Sequence, residues 1–232
     1  MSPVILGVSG SPVPNSNTDR AVKGVLQASG LDSEFVKLSE INVKPCQACK
    51  QCVPHNICQV NDDFPSLAEK LKKSKALVIG AYSPYGMIDA YTKAFLERLW
   101  SMRHVNNLNR GKLGVIIVNG LFPYPNHQRQ QKVLLNFLRP IYTRNLPVTQ
   151  VAKAIERELR MERMEHIGTV KIKGNVPCLV CGQGSTCKMS GVPILFGRGT
   201  KASSELCVAV ENQTDTWRKI IGLGKLLGKR LS

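Results

Sequence analysis

The sequence predicts an open, doubly wound α/β sheet of parallel strands, on two observations. Short apolar runs alternate with segments of helical spacing, and several runs close on glycine, serine or proline. Those runs are apolar throughout rather than at every second position, as expected of parallel strands covered on both faces. The first run is 3–8 (PVILGV), followed by a helix over 18–28 with Ala21, Val22, Val25 and Leu26 on one side. A second strand is expected at 34–38. A cysteine-rich loop then leads to a helix over 64–73, with Pro65 in its first turn. The run 76–82 (ALVIGAY) predicts the third strand, and 88–102 a helix carrying Ala94, Phe95, Leu99 and Met102. The fourth strand is 113–119 (LGVIIVN), and a helix over 128–138 stops before Pro140. The alternation then weakens. Residues 151–166 read as a charged amphipathic helix, 206–210 as the fifth strand and 214–231 as the last helix. The stretch 145–205 reads as an insertion or subdomain within one domain spanning 1–232.

Composition narrows the class. The chain has 232 residues, 43% apolar and 21% charged, which suits a folded domain and not a disordered or collagen-like one. No apolar run approaches the ~18 residues of a membrane helix. The N-terminus lacks the basic start of a secretory leader, so the expected compartment is the cytoplasm. The net charge is +16, from 32 Lys and Arg against 16 Asp and Glu. From Arg98 to Ile155 there are nine Lys or Arg and no carboxylate. This reads as a basic soluble surface or as a docking face for an acidic redox protein or nucleic acid.

The first strand is followed by Gly7-Val8-Ser9-Gly10-Ser11-Pro12 and then Asn15-Ser16-Asn17-Thr18. Hydroxyl and amide side chains gather where a helix start offers free N–H groups, and that combination binds phosphate. The dinucleotide and triphosphate glycine motifs are absent, and the loop holds no lysine. A monophosphate held by hydrogen bonds fits; an ordinary capped turn is the alternative. Ser83-Pro84-Tyr85-Gly86-Met87 after the third strand and Asn119-Gly120 after the fourth fall on the same edge. They would give amides and an aromatic wall to a flat ring.

SGSP…NSNT after the first strand and SPYG…TKAFLER after the third resemble the flavodoxin-like FMN reductase group. That resemblance implies that Ser9, Ser11, Ser16, Asn17 and Thr18 hold the FMN phosphate. Ser83, Pro84, Tyr85, Gly86, Met87, Asn119 and Gly120 would then border the ring. In one departure, the segment from Pro84 to Lys93 is shorter than is usual there.

Between the second and third strands lie Cys46, Cys49, Cys52 and Cys58, spaced C-x2-C-x2-C-x5-C. The triplet is similar to the ligand run of bacterial ferredoxins and favours a [4Fe–4S] cluster. Zinc more often takes two separated pairs, and redox-active disulfides are a further alternative. Such a motif in a flavodoxin-like chain resembles the iron–sulfur flavoprotein family, over roughly 1–140 and the C-terminal helix. The resemblance implies FMN, a [4Fe–4S] cluster, a homodimer or homotetramer, and exchange of electrons with a ferredoxin.

A second group, Cys178, Cys181 and Cys187, is spaced C-x2-C-x5-C, with Cys207 as the only further cysteine. A second iron–sulfur cluster, a zinc site and a packed loop are the readings, with Cys207 otherwise a buried strand residue. His55, His104, His127 and His166 show no partner spacing. Glu97 and Arg98 read as surface or interface charges, and Met161 and Met164 as packing residues.

The leading expectation is an electron-transfer flavoprotein with FMN and at least one [4Fe–4S] cluster. The alternative is an NAD(P)H-dependent FMN or quinone reductase with structural zinc. A basic zinc-bearing nucleic-acid module would need stacking aromatics, and only 6% of the residues are aromatic. Neither a nucleic acid nor a membrane is therefore expected as a partner.

Overall fold

In a computed structural model of the chain, which describes residues 4–121 and 147–232, five strands form one parallel sheet in the order β2-β1-β3-β4-β5. This is the strand order of flavodoxin-like sheets. The strands are β1 (Ile5–Ser9), β2 (Ser33–Lys37), β3 (Ala76–Tyr82), β4 (Leu113–Gly120) and β5 (Glu165–Lys173). Ile5 pairs with both Ser33 and Ala76, and Ala76 pairs with Leu113. β4 and β5 pair from Leu113–Glu165 to Gly120–Lys173, with a register shift between Gly114 and Val115.

Each face of the sheet has its own core. Leu77, Ile79, Ile116 and Val118 pack with Phe64, Phe95, Leu99, Ile155 and Leu159 from α2 (Phe64–Lys73), α3 (Ala90–Leu99) and α4 (Pro147–Met161). Val78, Val115 and Ile117 pack on the other face with Val22, Val25, Ile220 and Leu227. Those last four come from α1 (Asn17–Ser29) and the C-terminal α6 (Thr214–Leu231). Adjacent residues serving opposite cores is why β3 and β4 are apolar at every position. Each such side chain contributes about 1.5–3 kcal/mol on burial.

Three expectations need correction. The fifth strand is not 206–210. Leu206 ends a one-turn helix, and the main chain of Val208 and Val210 bonds to the side chains of Asn17 and Asn175 instead of to a neighbouring strand. The strand is Glu165–Lys173, whose charged residues interrupt the apolar pattern. It tolerates them because it is an edge strand, paired only with β4. The helix expected over 151–166 ends at Met161, because Arg163 adopts a left-handed conformation (φ 55°) and turns the chain into β5. Thus 147–173 completes the main sheet, and the cysteine-bearing excursion covers only 174–213. It contains α5 (Val192–Phe196). The helix expected over 128–138 lies outside the described residues.

Candidate functional site

The phosphate-loop candidate is braced by ionic and hydrogen bonds. Ser16 caps α1 by accepting from Asp19 N–H at 3.1 Å, and Asp19 Oδ2 accepts from Ser16 N–H at 3.1 Å. Asp19 also accepts from Ser9 Oγ at 2.6 Å and from Lys37 Nζ at 2.6 Å. That ion pair is buried. Lys37 was not anticipated: it reaches the loop from the end of β2, and its ammonium also donates to Val13 O. A lysine after Phe35 and Val36 at the end of β2 is its only sequence signal. Ser11 is buried and donates its N–H toward Ser9 Oγ at 3.4 Å.

Asn17 turns its side-chain amide away, donating to Val208 O at 2.9 Å and accepting from Val210 N–H at 3.1 Å. Ser9 and Asn17 thus make bracing contacts. Thr18 Oγ1 accepts from Asn119 Nδ2 at 3.2 Å, linking the loop to the end of β4.

Asp89 caps α3 behind this loop. It accepts from Thr92 N–H and Thr92 Oγ1, each at 2.8 Å, and from Tyr82 N–H at 3.0 Å. Burial pushes its carboxyl up to about 6, against the lowering effect of those donors. A side chain at Gly10 would collide with Asp89 and Thr92, so the first loop must pass close to the start of α3.

Among the described residues, two buried polar atoms on this rim have no hydrogen-bond partner: Ser83 Oγ and Asn119 Oδ1. They follow β3 and lie in β4, where the ring-binding residues were expected. Leaving buried polar atoms unmatched is costly, and a polar ligand between the strand ends would satisfy them. Tyr85 (φ 49°) and Met87 are exposed beside them, on the turn formed by Pro84–Gly86. Gly120 sits tightly against Val148 and Ser83. The donors, the crevice position and the exposed Tyr85 and Met87 fit a flavin mononucleotide.

The first cysteine group leaves β2 on the same rim. Its loop is closed at the base, where Asp63 Oδ2 accepts from Asn42 N–H at 2.7 Å and Asp62 Oδ2 from Lys44 N–H at 2.9 Å. At the tip, Asn56 Nδ2 donates to Asn106 O at 2.7 Å, and Asn56 Oδ1 accepts from the N–H groups of His104 and Val105. Ala48 and Lys50 are left-handed (φ 53° and 61°), which coils the chain tightly between the first three cysteines.

Cys46, Cys49, Cys52 and Cys58 line one small pocket, together with Val60, Arg98 and Trp100. All four are free thiols. Burial pushes the Cys52 thiol up, and the nearby Cys58, Cys49 and Cys46 add to it. Among the described residues, no three Cys, His, Asp or Glu side chains converge to hold a single ion. Four thiolates suit zinc or an iron–sulfur cluster, and the C-x2-C-x2-C-x5-C spacing favours the cluster. Four thiols around one cavity fit a cluster.

Arg98 corrects the sequence reading of a surface charge. Its side chain is fully buried and pairs with Asp62, Nη1 to Oδ2 at 2.5 Å and Nη2 to Oδ1 at 3.0 Å. Its guanidinium also donates to Lys44 O and lies 4.6 Å from the Phe64 ring centre. Burial alone would lower its pKa, but the Asp62 bond and the Cys58 sulfur raise it. The Arg98 bond holds Asp62 below the usual carboxylate range, although burial works the other way. Of the two methionines, Met164 is buried as expected and Met161 is exposed.

The second cysteine group follows β5 and therefore also starts on this rim. Cys178 and Cys207 are half-buried against one small core, while Cys181 and Cys187 are exposed.

A family model described as NADPH-dependent FMN reductase matches residues 3–156. The chain belongs to the NADPH-dependent FMN reductase family. It is similar to an iron-sulfur flavoprotein of Methanocaldococcus jannaschii, at 29% identity over 119 residues, covering 50% of this chain and 61% of that protein. A second iron-sulfur flavoprotein, from Archaeoglobus fulgidus, is 31% identical over 121 residues, covering 50% and 62%. The match therefore spans a little over half the length of these relatives. Among solved structures, an FMN-dependent NADH-azoreductase of Bacillus anthracis superposes with a TM-score of 0.55 at 12% identity, covering 97% of this chain and 99% of that one. That likeness supports the fold. No helix among the described residues is long and apolar enough to cross a membrane.

Proposed function

We propose that this protein is an FMN-dependent oxidoreductase that passes electrons between a [4Fe–4S] cluster at Cys46, Cys49, Cys52 and Cys58 and the flavin. One observation carries the reading: the four cysteines line a single pocket against the last turn of α3, while the strand ends at the start of that helix leave Ser83 Oγ and Asn119 Oδ1 without a partner among the described residues. When bound, FMN accepts one or two electrons and the cluster exchanges one, so the pair joins carriers of unlike stoichiometry. The chain's own residues hold and insulate these groups. The N–H groups at the start of α1, with Ser11 and Ser16 beside them, receive the phosphate. Ser83 and Asn119 orient the ring. The Arg98–Asp62 pair fixes the back of the cysteine cavity.

The names of the curated relatives support an iron–sulfur centre, and the family supports flavin. A ferredoxin-type acidic carrier is the proposed partner, supported by the net charge of +16. A second copy of the chain covering the exposed Tyr85 and Met87 is the proposed assembly.

Anaerobic rapid mixing with a reduced ferredoxin tests this reading, with bleaching of the flavin band as the readout. The wild type is expected to bleach rapidly and Cys52→Ala at least about tenfold more slowly while retaining FMN. Equal rates in the two proteins, with equally fast direct reduction by NADPH, would support the plain reductase instead.

A further inference from the structure

We infer that Cys178, Cys181, Cys187 and Cys207 bind a second iron–sulfur cluster, on the opposite flank of the flavin site from the first. Three independent observations lead there.

The segment 174–213 buries few apolar side chains of its own, with Val210 anchored in a main-sheet core. Its own core buries only Val176, Leu179 and Val192, with Leu195, Ala202, Leu206 and two of the cysteines partly buried against them. Val180, Met189 and Ile194 are exposed, Met189 by 89%. A chain of roughly forty residues with so small a core ordinarily needs a metal or a disulfide as a staple. All four cysteines are free thiols.

Cys178, Cys181 and Cys207 are brought together despite their separation in sequence, and Cys187 lies three residues past Gly184, which packs on the Cys178 carbonyl. Cys207 packs with Cys178 against the same small core. Cys181 S–H donates to Cys178 O at 3.6 Å, which folds Cys181 back over Cys178. Gly191 N–H donates to Cys178 Sγ at 3.4 Å, the kind of main-chain contact that supports a cluster thiolate. A side chain at Gly184 would overlap the Cys178 carbonyl, so the chain can close around Cys178 only with glycine there. Four thiolates suit zinc or an iron–sulfur cluster, and the glycine-lined main-chain approach to Cys178 Sγ favours the cluster.

The group is also tied to the flavin site. Val208, next to Cys207, accepts from Asn17 Nδ2 at the start of α1. Gly174 N–H donates to Gly120 O at 2.8 Å, and a side chain at Gly174 would strike Asn119 Oδ1. The first group leaves β2 at one edge of the sheet and the second leaves β5 at the other, with β1, β3 and β4 between them. Four strand spacings make that span about 19 Å.

The test is iron, acid-labile sulfide, zinc and flavin analysis of anaerobically purified wild type, Cys178→Ala, Cys207→Ser and Cys46→Ala. The wild type is expected to carry about six to eight iron with matching sulfide per chain. Cys178→Ala and Cys207→Ser are each expected to lose about two to four of these and keep their flavin. Cys46→Ala is expected to lose the remainder. A wild type with only about four iron, all lost in Cys46→Ala, would overturn the inference and leave the proposed function standing. Zinc without sulfide at the second group would overturn it equally. Iron in both groups but no flavin would uphold the second site and refute the flavin reading.

Discussion

Asp89 and Arg98 are buried charges with opposite consequences. Asp89 has its carboxyl raised from 3.8 to about 6 by burial. The native state therefore holds a proton that the unfolded chain releases between about pH 4 and 6. Asp89 favours folding most below pH 4, and this contribution declines as pH rises through 6, by on the order of 3 kcal/mol. Denaturant titrations of Asp89→Asn, which keeps a capping acceptor, are expected to lack that decline between pH 4 and 6. An unchanged pH profile would refute the assignment. Removing Arg98 leaves Asp62 buried without its partner, and Arg98→Ala is expected to destabilise the protein by about 3–5 kcal/mol. The same variant should loosen the cysteine loop, seen as faster loss of iron to a chelator. Neither residue's role was legible from sequence. Arg98 reads as one more charge on a basic helix, and the acidic residue that buries it lies 36 positions away, in the cysteine loop.

At the scale of elements, the glycines of α6 give a paired prediction. A side chain at Gly224 would come within 2.5 Å of Val25 O in α1, whereas one at Gly222 would meet nothing within 4 Å. Thermal or denaturant unfolding should find Gly222→Ala more stable by about 0.5–1 kcal/mol. Gly224→Ala should be less stable by about 1–3 kcal/mol, because α6 must move off α1. The elements legible in sequence were those whose pattern had one cause. β3 and β4 face a core on each side, so each could be read from apolar residues alone. α2 carries Phe64, Leu67 and Leu71 at helical spacing and was placed at its observed ends. β5 was missed because an edge strand can carry Glu165, His166, Lys171 and Lys173. The apolar stretch 206–210 imitated a strand, but its main chain is satisfied by two asparagine side chains, which no local pattern reveals.

Across the whole molecule, the flavin-site candidates gather at the rim where the strands end, and the first cysteine pocket lies against the last turn of α3. The cysteine spacings were legible because ligand sets are written locally in the chain. The hydroxyl-rich loop after β1 was legible for the same reason. Its buried Lys37–Asp19 pair is not, since it joins the first turn of α1 to the end of β2, 18 positions away. The positive charge gives a further prediction: reduction by an acidic ferredoxin should slow at least about tenfold between low and high salt. A salt-independent rate would remove the docking argument.

The most direct test of the central claim is the content of FMN, iron and acid-labile sulfide in protein purified without oxygen. The account predicts about one FMN per chain and no fewer than about four iron with four sulfide. A chain that carries FMN with zinc and no sulfide would contradict it.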